Sequence, residues 1–173
     1  MTRYLQSVAL TILCVAACEC ASSANLRQVR GTYRNPALGY SIEVPRGLSG
    51  IAGDEDGPER GIRISLPSGG VLTVWAEPNS LEWKTPAEGL RYDMSAHRCA
   101  GVEPEILPAR LGVLKGVTGR LVCGGRVLRL VLAFRSSGGL IYWVRLETTP
   151  ANEKTEEAVL GQFTATFKVI RWE

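Results

Sequence analysis

Two long apolar runs separated by a short turn signal, between Arg126 and Glu147, constrain the fold of this chain more than any other stretch. Both runs are rich in Val, Leu, Ile and aromatic side chains, and Ser-Ser-Gly-Gly lies between them at 136–139. Branched and aromatic residues favour strands and Gly-rich segments favour turns, so the pattern predicts a β-hairpin. We expect this hairpin to form the centre of an antiparallel sheet. No catalytic or cofactor motif lies on it.

Side-chain alternation predicts the register of this hairpin. Successive strand residues point to opposite faces of a sheet. A three-residue loop at 136–138 would place the fully apolar face of each strand on the same side and set Arg129 opposite Arg145. Their repulsion costs about 0.2–1 kcal/mol, whereas exposing the apolar set would forfeit about 1.5–3 kcal/mol for each large side chain. Burial therefore favours a register with one buried face and one face that carries arginines.

The same register predicts a row of three arginines. If the paired glycines of the preceding hairpin form a two-residue turn, Arg120 faces Arg129, and Arg129 in turn faces Arg145. Strands lie about 4.8 Å apart, and guanidinium groups bind carboxylates and phosphates bidentately. The candidate partner-binding residues are therefore Arg120, Arg129, Arg145 and the neighbouring Trp143. The alternative is that Glu147 and acidic residues of a covering helix pair with the arginines, so that the row only supports the fold.

The N-terminal residues predict export. An apolar run over residues 8–17 follows an arginine and precedes small residues, the pattern of a secretory signal peptide that is too short for a stable membrane span. Cleavage after Ala24 would release residues 25–173. Cleavage before Cys18, which follows a lipobox-like Val-Ala-Ala, would instead leave Cys18 acylated and the protein tethered to a membrane. Both alternatives predict an exported, periplasmic protein.

Length and charge bound the number of domains and the class of partner. A chain of 173 residues, 45% of them hydrophobic, can build one globular core and is short for two. The net charge of +3 comes from Lys and Arg interspersed with acidic residues. We therefore predict a single domain over residues 25–173 and no nucleic-acid partner.

The two cysteines beyond the leader, Cys99 and Cys123, predict a disulfide bond. Oxidising compartments preserve such bonds, and closing a loop of this length contributes about 3 kcal/mol in the chain-entropy model. Two cysteines and the single His97 supply too few ligands for a metal site. We expect neither a metal nor a small-molecule cofactor.

The rest of the chain predicts short strands and two helices. A capping box, Thr85–Glu88, with Pro at the first helical position predicts a helix over 86–97, and Asn152 is expected to cap a second helix over 153–163. The Gly-rich acidic residues 46–59 predict a surface loop. Alternation and turn residues predict further strands over 40–44, 61–66, 71–76, 111–115, 117–123 and 165–170. The expected fold is α+β, an antiparallel sheet sandwiched by helices.

This order of elements resembles the PsbP-like family, which includes the Mog proteins. The resemblance is carried by residues 33–48, with their Leu-Gly-Tyr-Ser-Ile-Glu-Val-Pro segment, and by an ending in which Tyr142-Trp143-Val144 leads through a short helix to Phe163 and residues 166–169. It implies an antiparallel sheet between helices in an exported, bacterial-type member. It implies no single activity, because members assist photosystem assembly or bind a small GTPase.

These patterns favour a non-enzymatic exported envelope protein that binds an unknown protein partner. One alternative is a periplasmic inhibitor or immunity protein that neutralises a toxin. A hydrolase is a further alternative, in which His97 would be the only available base, but no Gly-x-Ser-x-Gly elbow accompanies it. At the end of a helix, a histidine is also favourably placed by the helix dipole.

Overall fold

The structure is a computed structural model that describes residues 26–53, 61–97, 104–135 and 139–170. The predicted leader with Cys18, part of the acidic loop, and the predicted disulfide partner Cys99 lie outside these residues. The elements in chain order are β1 Arg27–Val29, β2 Thr32–Asn35, β3 Tyr40–Glu43, β4 Gly50–Ala52, β5 Gly61–Ser65, β6 Val71–Pro78, α1 Pro86–Ala96, β7 Glu105–Leu111, β8 Leu114–Cys123, β9 Arg126–Phe134, β10 Leu140–Thr148, α2 Glu153–Ala165 and β11 Lys168–Val169.

An eight-stranded antiparallel sheet forms the middle layer of the fold. Its strand order is β1-β4-β5-β6-β10-β9-β8-β7, and a second sheet has the order β11-β3-β2. Helix α1 packs on one face of the large sheet through Leu90 and Met94. Helix α2, through Leu160 and Phe163, and the small sheet pack on the other face. The predicted α+β class, with an antiparallel sheet between helices, is confirmed.

The register of the central hairpin differs from the prediction by one residue. Arg145 faces Leu130, and Arg129 faces Leu146. The backbone N–H of Arg135 donates to the carbonyl of Leu140 at 2.9 Å, so the loop between these two paired residues has four residues, 136–139, and not three. The predicted pair of Arg129 with Arg145 is therefore wrong.

The physical reason is that both faces of this hairpin are buried. Leu130 and Leu132 pack in the cluster beneath α1, whereas Val131 and Ala133 of the same strand pack in the cluster beneath α2. The prediction assumed that one face of the hairpin is in contact with water, so that the apolar side chains of both strands have to lie together on the other face. Because another layer of the fold covers each face of the sheet, apolar side chains are buried on whichever face they lie. The free energy of burial therefore does not favour a three-residue loop over a four-residue loop.

Glycines decide the two turns around β8. Gly124 and Gly125 both have positive φ angles, 56° and 75°, which confirms the predicted two-residue turn between β8 and β9. The predicted break at Gly116 and the predicted strand over 111–115 are wrong, because the chain turns at Gly112, where φ is 57°. Gly116 lies inside β8, where a Cβ atom would stand 2.2 Å from the backbone oxygen of Leu132.

Helices α1 and α2 begin at the predicted residues, but α2 lacks the predicted side-chain cap and ends later than predicted. The Thr85 hydroxyl oxygen accepts from the Glu88 N–H at 3.3 Å. At α2, by contrast, the predicted cap Asn152 makes no side-chain capping bond, because its side-chain amide donates to the Ser68 carbonyl at 2.8 Å. Helix α2 ends at Ala165, two residues later than predicted, and therefore shortens the predicted last strand to β11.

Candidate binding site

Arg120 and Arg129 face each other across β8 and β9, as predicted. Both are neutralised by α2. Arg120 donates to both carboxylate oxygens of Glu153, at 2.6 and 2.7 Å, and Arg129 donates to Glu153 at 2.9 Å. A nitrogen of Arg129 also lies 2.9 Å from a Glu157 oxygen. The pKa of Glu153 falls from 4.5 to about 2, chiefly through its hydrogen bonds from Arg120 and against the effect of burial.

Arg145 lies on the opposite face of the sheet, so the predicted row of three arginines does not form. Its guanidinium carbon lies 5.3 Å from the ring centroid of Trp75, and its Nε lies 3.1 Å from an oxygen of Glu147. Trp143 shares this face and is buried. The four predicted residues thus divide into two pairs with the sheet between them, because the one-residue change of register turns Arg145 away from Arg129. The alternative interpretation, in which glutamates of the chain pair with the arginines, agrees with these contacts.

An aromatic cluster lies between α1 and the sheet on the Arg145 face. Trp75 of β6 faces Trp143 of β10 in register, and their rings stack at 5.4 Å with an interplanar angle of 4°. Trp83, from the segment before α1, stands edge-on to Trp143 at 6.2 Å. Tyr92 of α1 lies 5.5 Å from Trp83. Pairs at these distances add attraction beyond the area that they bury.

Two local features hold Trp83 in place. The Asn79 side chain accepts from the backbone N–H of Trp83 at 3.0 Å and donates to its carbonyl at 2.9 Å. The Trp83 ring packs on Gly89, where a Cβ atom would stand 2.6 Å from the ring. Any larger residue in place of Gly89 would displace the indole. The position of Trp83 is therefore set before any ligand binds.

A cavity of about 200 Å³ opens beside this cluster. Its lining combines aromatic rings with two carboxylates: Glu77, Pro78, Ser80, Leu81, Trp83, Tyr92, Asp93 and Trp143. Leu81 and Tyr92 are 55% and 59% exposed, which places apolar surface at the mouth. Trp143 Nε1 donates to a Glu77 oxygen at 2.8 Å inside.

Burial raises the pKa of both carboxyl groups in this cavity. For Glu77, the hydrogen bond from Trp143 lowers the pKa and the charge of Asp93 raises it further. For Asp93, burial is opposed by His97 and by Arg145. Asp93 Oδ2 is buried, and its contact with His97 Nε2 is long, at 3.5 Å. Such an oxygen is costly to keep charged.

A second cavity of about 210 Å³ lies near the end of α1 and includes His97, Cys123, Arg126 and Glu147 in its lining. Cys123 is the last residue of β8. Because Cys99 lies outside the described residues, the bond between Cys99 and Cys123 stays a prediction. The nearness of His97 to Cys123 in this cavity is compatible with it.

The described part of the chain contains neither a candidate metal site nor a candidate membrane span. In these residues no three His, Cys, Asp or Glu side chains are grouped so that they could bind a metal ion. No helix in the same ranges combines the length and the apolar character needed to cross a membrane.

Of the side chains that line the cavity, the sequence predicted only Trp143 as a site residue. Glu77, Trp83, Tyr92 and Asp93 come from three different segments, and only the pairing of β6 with β10 and the packing of α1 bring them together. One signal was available, because three of the four tryptophans in the chain belong to this cluster.

No protein-family model matches the chain, and no curated protein matches it. Solved structures that are similar to this chain include two that it covers over most of their length. One is cyanobacterial PsbP (CyanoP) from Synechocystis, with 14% identity over 90% of this chain and 98% of that chain and a TM-score of 0.56. The other is LpqN of Mycobacterium tuberculosis, described as involved in cell envelope biogenesis, with 12% identity over 85% of this chain and 92% of that chain and a TM-score of 0.56. At these identities the likeness concerns the fold, and for the fold the resemblance to PsbP is confirmed.

Proposed function

We propose that this chain, which has the PsbP-like fold, is an exported module that binds a protein partner in the cell envelope and carries out no catalytic step. The predicted signal peptide supports export. LpqN, which shares the fold, is described as a protein of cell envelope biogenesis, and a similar location is part of the proposal for this chain. The fold itself specifies no partner, so the argument for binding rests on the cavity beside α1.

The single observation that carries the proposal is the combination of aromatic walls with partly buried carboxylates in that cavity. A carboxyl group whose pKa is raised by folding costs stability when it is ionised at neutral pH. Glu77 and Asp93 both have raised pKa values. A purely structural cavity would be more stable with apolar residues of similar volume at these positions. Pockets lined by aromatic residues with a few convergent polar groups are typical of binding sites.

The arginines on the other face support a different role. Arg120 and Arg129 already donate to Glu153, so an acidic partner would have to displace a carboxylate of α2. We therefore place the partner on the α1 face, with the exposed Leu81 and Tyr92 at the rim as the apolar contacts. An inhibitor or immunity protein would be a special case of this proposal, with a toxin as the partner.

A hydrolase is the second candidate, and one contact bears on it. His97 Nε2 lies 3.5 Å from Asp93 Oδ2, an arrangement in which a carboxylate could orient a general base. Cys123 lines the same cavity as His97, but the predicted disulfide would remove its thiol. The substitution His97→Ala distinguishes the two functions, because a binding module keeps its partner after this change, whereas a hydrolase loses turnover of its substrate.

The test of the proposal is capture of the partner by the exported chain in the envelope, followed by identification of the captured protein. We expect one protein in a stoichiometric ratio. Leu81→Ser and Tyr92→Ser should each reduce capture, whereas the matched control Val113→Ser, an exposed apolar residue in the turn between β7 and β8, should not. Capture that is equal for all three variants would refute the placement of the partner, and the absence of any stoichiometric protein would refute the function.

A further inference from the structure

We infer that the cavity beside α1 binds a cationic side chain of the partner, the ammonium group of a lysine or the guanidinium group of an arginine. The inference rests on the proposed function, because the cation is taken to come from the protein partner. It names the chemical class that the cavity recognises.

The walls of the cavity favour a cation. Cations are attracted to the faces of aromatic rings within about 6 Å of the ring centroid, most strongly to tryptophan. Trp83, Tyr92 and Trp143 all line the cavity, and Trp143 is held by its stacking on Trp75. Rings that packing already holds in place contact a ligand without the entropic cost of being ordered.

The charge of the cavity favours the same ligand. In the described residues Glu77 and Asp93 are the charged side chains that line it, and both are acidic. The neighbouring cationic groups do not compensate them fully. Arg145 lies over Trp75 and beside Glu147, and its charge lowers the pKa of Asp93 without overcoming the effect of burial. His97, the C-terminal cap of α1, lies 3.5 Å from Asp93.

Hydrogen bonding distinguishes a peptide side chain from a quaternary ammonium group. Asp93 Oδ2 is buried, and its contact with His97 Nε2 is long, at 3.5 Å, so a ligand with an N–H donor would add a shorter hydrogen bond. Ammonium and guanidinium groups carry such donors, and charge-assisted bonds to carboxylates are strong. A choline headgroup would suit the aromatic rings but would offer Asp93 no further hydrogen-bond donor.

The size of the cavity fits one side chain. Pockets for drug-sized ligands span about 300–1,000 Å³, and the volume here is about 200 Å³. A single lysine or arginine side chain can enter such a space, while its backbone stays outside against Leu81 and Tyr92. The partner would then contribute one cationic anchor surrounded by apolar contacts, an arrangement typical of interface hot spots.

The test uses the purified chain and four small probes: Nα-acetyl-lysinamide, Nα-acetyl-argininamide, Nα-acetyl-norleucinamide and choline. The NMR signal of the Trp143 indole N–H, which donates to Glu77, reports binding. We expect saturable shifts with the lysine and arginine probes and none with norleucine. Glu77→Gln and Asp93→Asn should each weaken binding by about tenfold or more, because each removes a charged acceptor. The matched control Glu43→Gln, an exposed carboxylate of the small sheet, should not change it.

Three results would overturn parts of this inference. Equal binding of norleucinamide would show that charge is not recognised. Choline that binds as tightly as the lysine probe would assign the cavity to a lipid headgroup. Unchanged affinity in both Glu77→Gln and Asp93→Asn, with thermal unfolding confirming that they fold, would place the cation elsewhere.

The proposed function can fail separately from this inference. The lysine probe can bind, and Asp93→Asn can weaken that binding, while the chain captures no stoichiometric partner. This result would support the cation site and refute the proposed function. Conversely, the wild type, Glu77→Gln and Asp93→Asn can capture a partner equally while no cationic probe binds. This result would support the proposed function and refute the cation site.

Discussion

Replacing Glu153 with glutamine should show how much of the stability of the fold depends on the contacts of Glu153 with Arg120 and Arg129. The Glu153 carboxylate accepts three hydrogen bonds from the two arginines. A fall in its pKa from 4.5 to about 2 corresponds to about 3.4 kcal/mol. Arg120 is 39% exposed, and screening by water reduces this figure, so we expect a loss of about 1–2 kcal/mol in the free energy of unfolding at pH 7.

The sign of the pH dependence follows from the lowered pKa. A carboxyl group whose pKa is lower in the folded state stabilises the protein above its unfolded pKa, and this stability is lost as the pH falls through the folded pKa. In the wild type the contribution of Glu153 should therefore decline below about pH 4.5 and vanish near pH 2. Glu153→Gln should lack this component, and its deficit relative to the wild type should shrink as the solution is acidified.

Urea unfolding of the wild type, Glu153→Gln and Glu157→Gln at pH 7 and pH 3 measures these differences. Glu157 is the matched control, because it lies on the same helix and contacts the same Arg129. It is 47% exposed and lies beside only one of the two arginines in the described contacts, so we expect less than about 0.5 kcal/mol from its substitution. Equal stability of Glu153→Gln and the wild type at pH 7, or an equal deficit at both pH values, would refute the reasoning.

Three further predictions concern packing, oxidation and pH. Gly116→Ala should destabilise the chain by about 1–3 kcal/mol, because its Cβ would meet the Leu132 carbonyl. Gly161→Ala, with open space on helix α2, should instead stabilise the chain by about 0.5–1 kcal/mol. Thermal unfolding of both variants measures these changes. Cys99 and Cys123 should resist alkylation until a reductant is added, and reduction should cost about 3 kcal/mol; labelling of the unreduced chain would contradict this. Binding of the lysine probe should weaken on acidification at a pH above the ordinary carboxyl range, because both cavity carboxylates have raised pKa values; an NMR titration at several pH values tests it.

Local signals predicted those parts of the fold that depend on neighbouring residues. The capping box at Thr85 and the turn of Gly124 and Gly125 act over a few positions, and both are found in the structure. Shorter elements with weaker patterns were not predicted. Strands β1, β2 and β4 have three or four residues each, and β4 lies within a Gly-rich segment that composition alone favours as a loop.

The register of the central hairpin depends on information that is not local. Whether Arg129 faces Arg145 or Leu146 is decided by what covers each face of the sheet, and those layers come from α1, α2 and the small sheet. The side chains of the candidate site are likewise brought together by non-local pairing that the sequence does not show. Trp143 and Glu77 meet because β10 pairs with β6, two strands separated by more than sixty positions along the chain.

In the described residues, the pKa of Glu153 on the α2 face and the pKa values of Glu77 and Asp93 on the α1 face shift in opposite directions, which gives the proposed structural and binding roles different consequences. On the α2 face the acidic residue Glu153 has a lowered pKa, so its ionised form is stabilised by contacts within the chain. On the α1 face Glu77 and Asp93 have raised pKa values, so their ionised forms lack sufficient partners. Removing the charge of Glu153 should lower the stability of the fold. Removing the charge of Glu77 or Asp93 should change the stability little or increase it, while it weakens binding of the ligand. Asp93→Asn therefore discriminates between the two roles: a higher unfolding temperature with weaker binding of the lysine probe is the outcome that only a binding site produces.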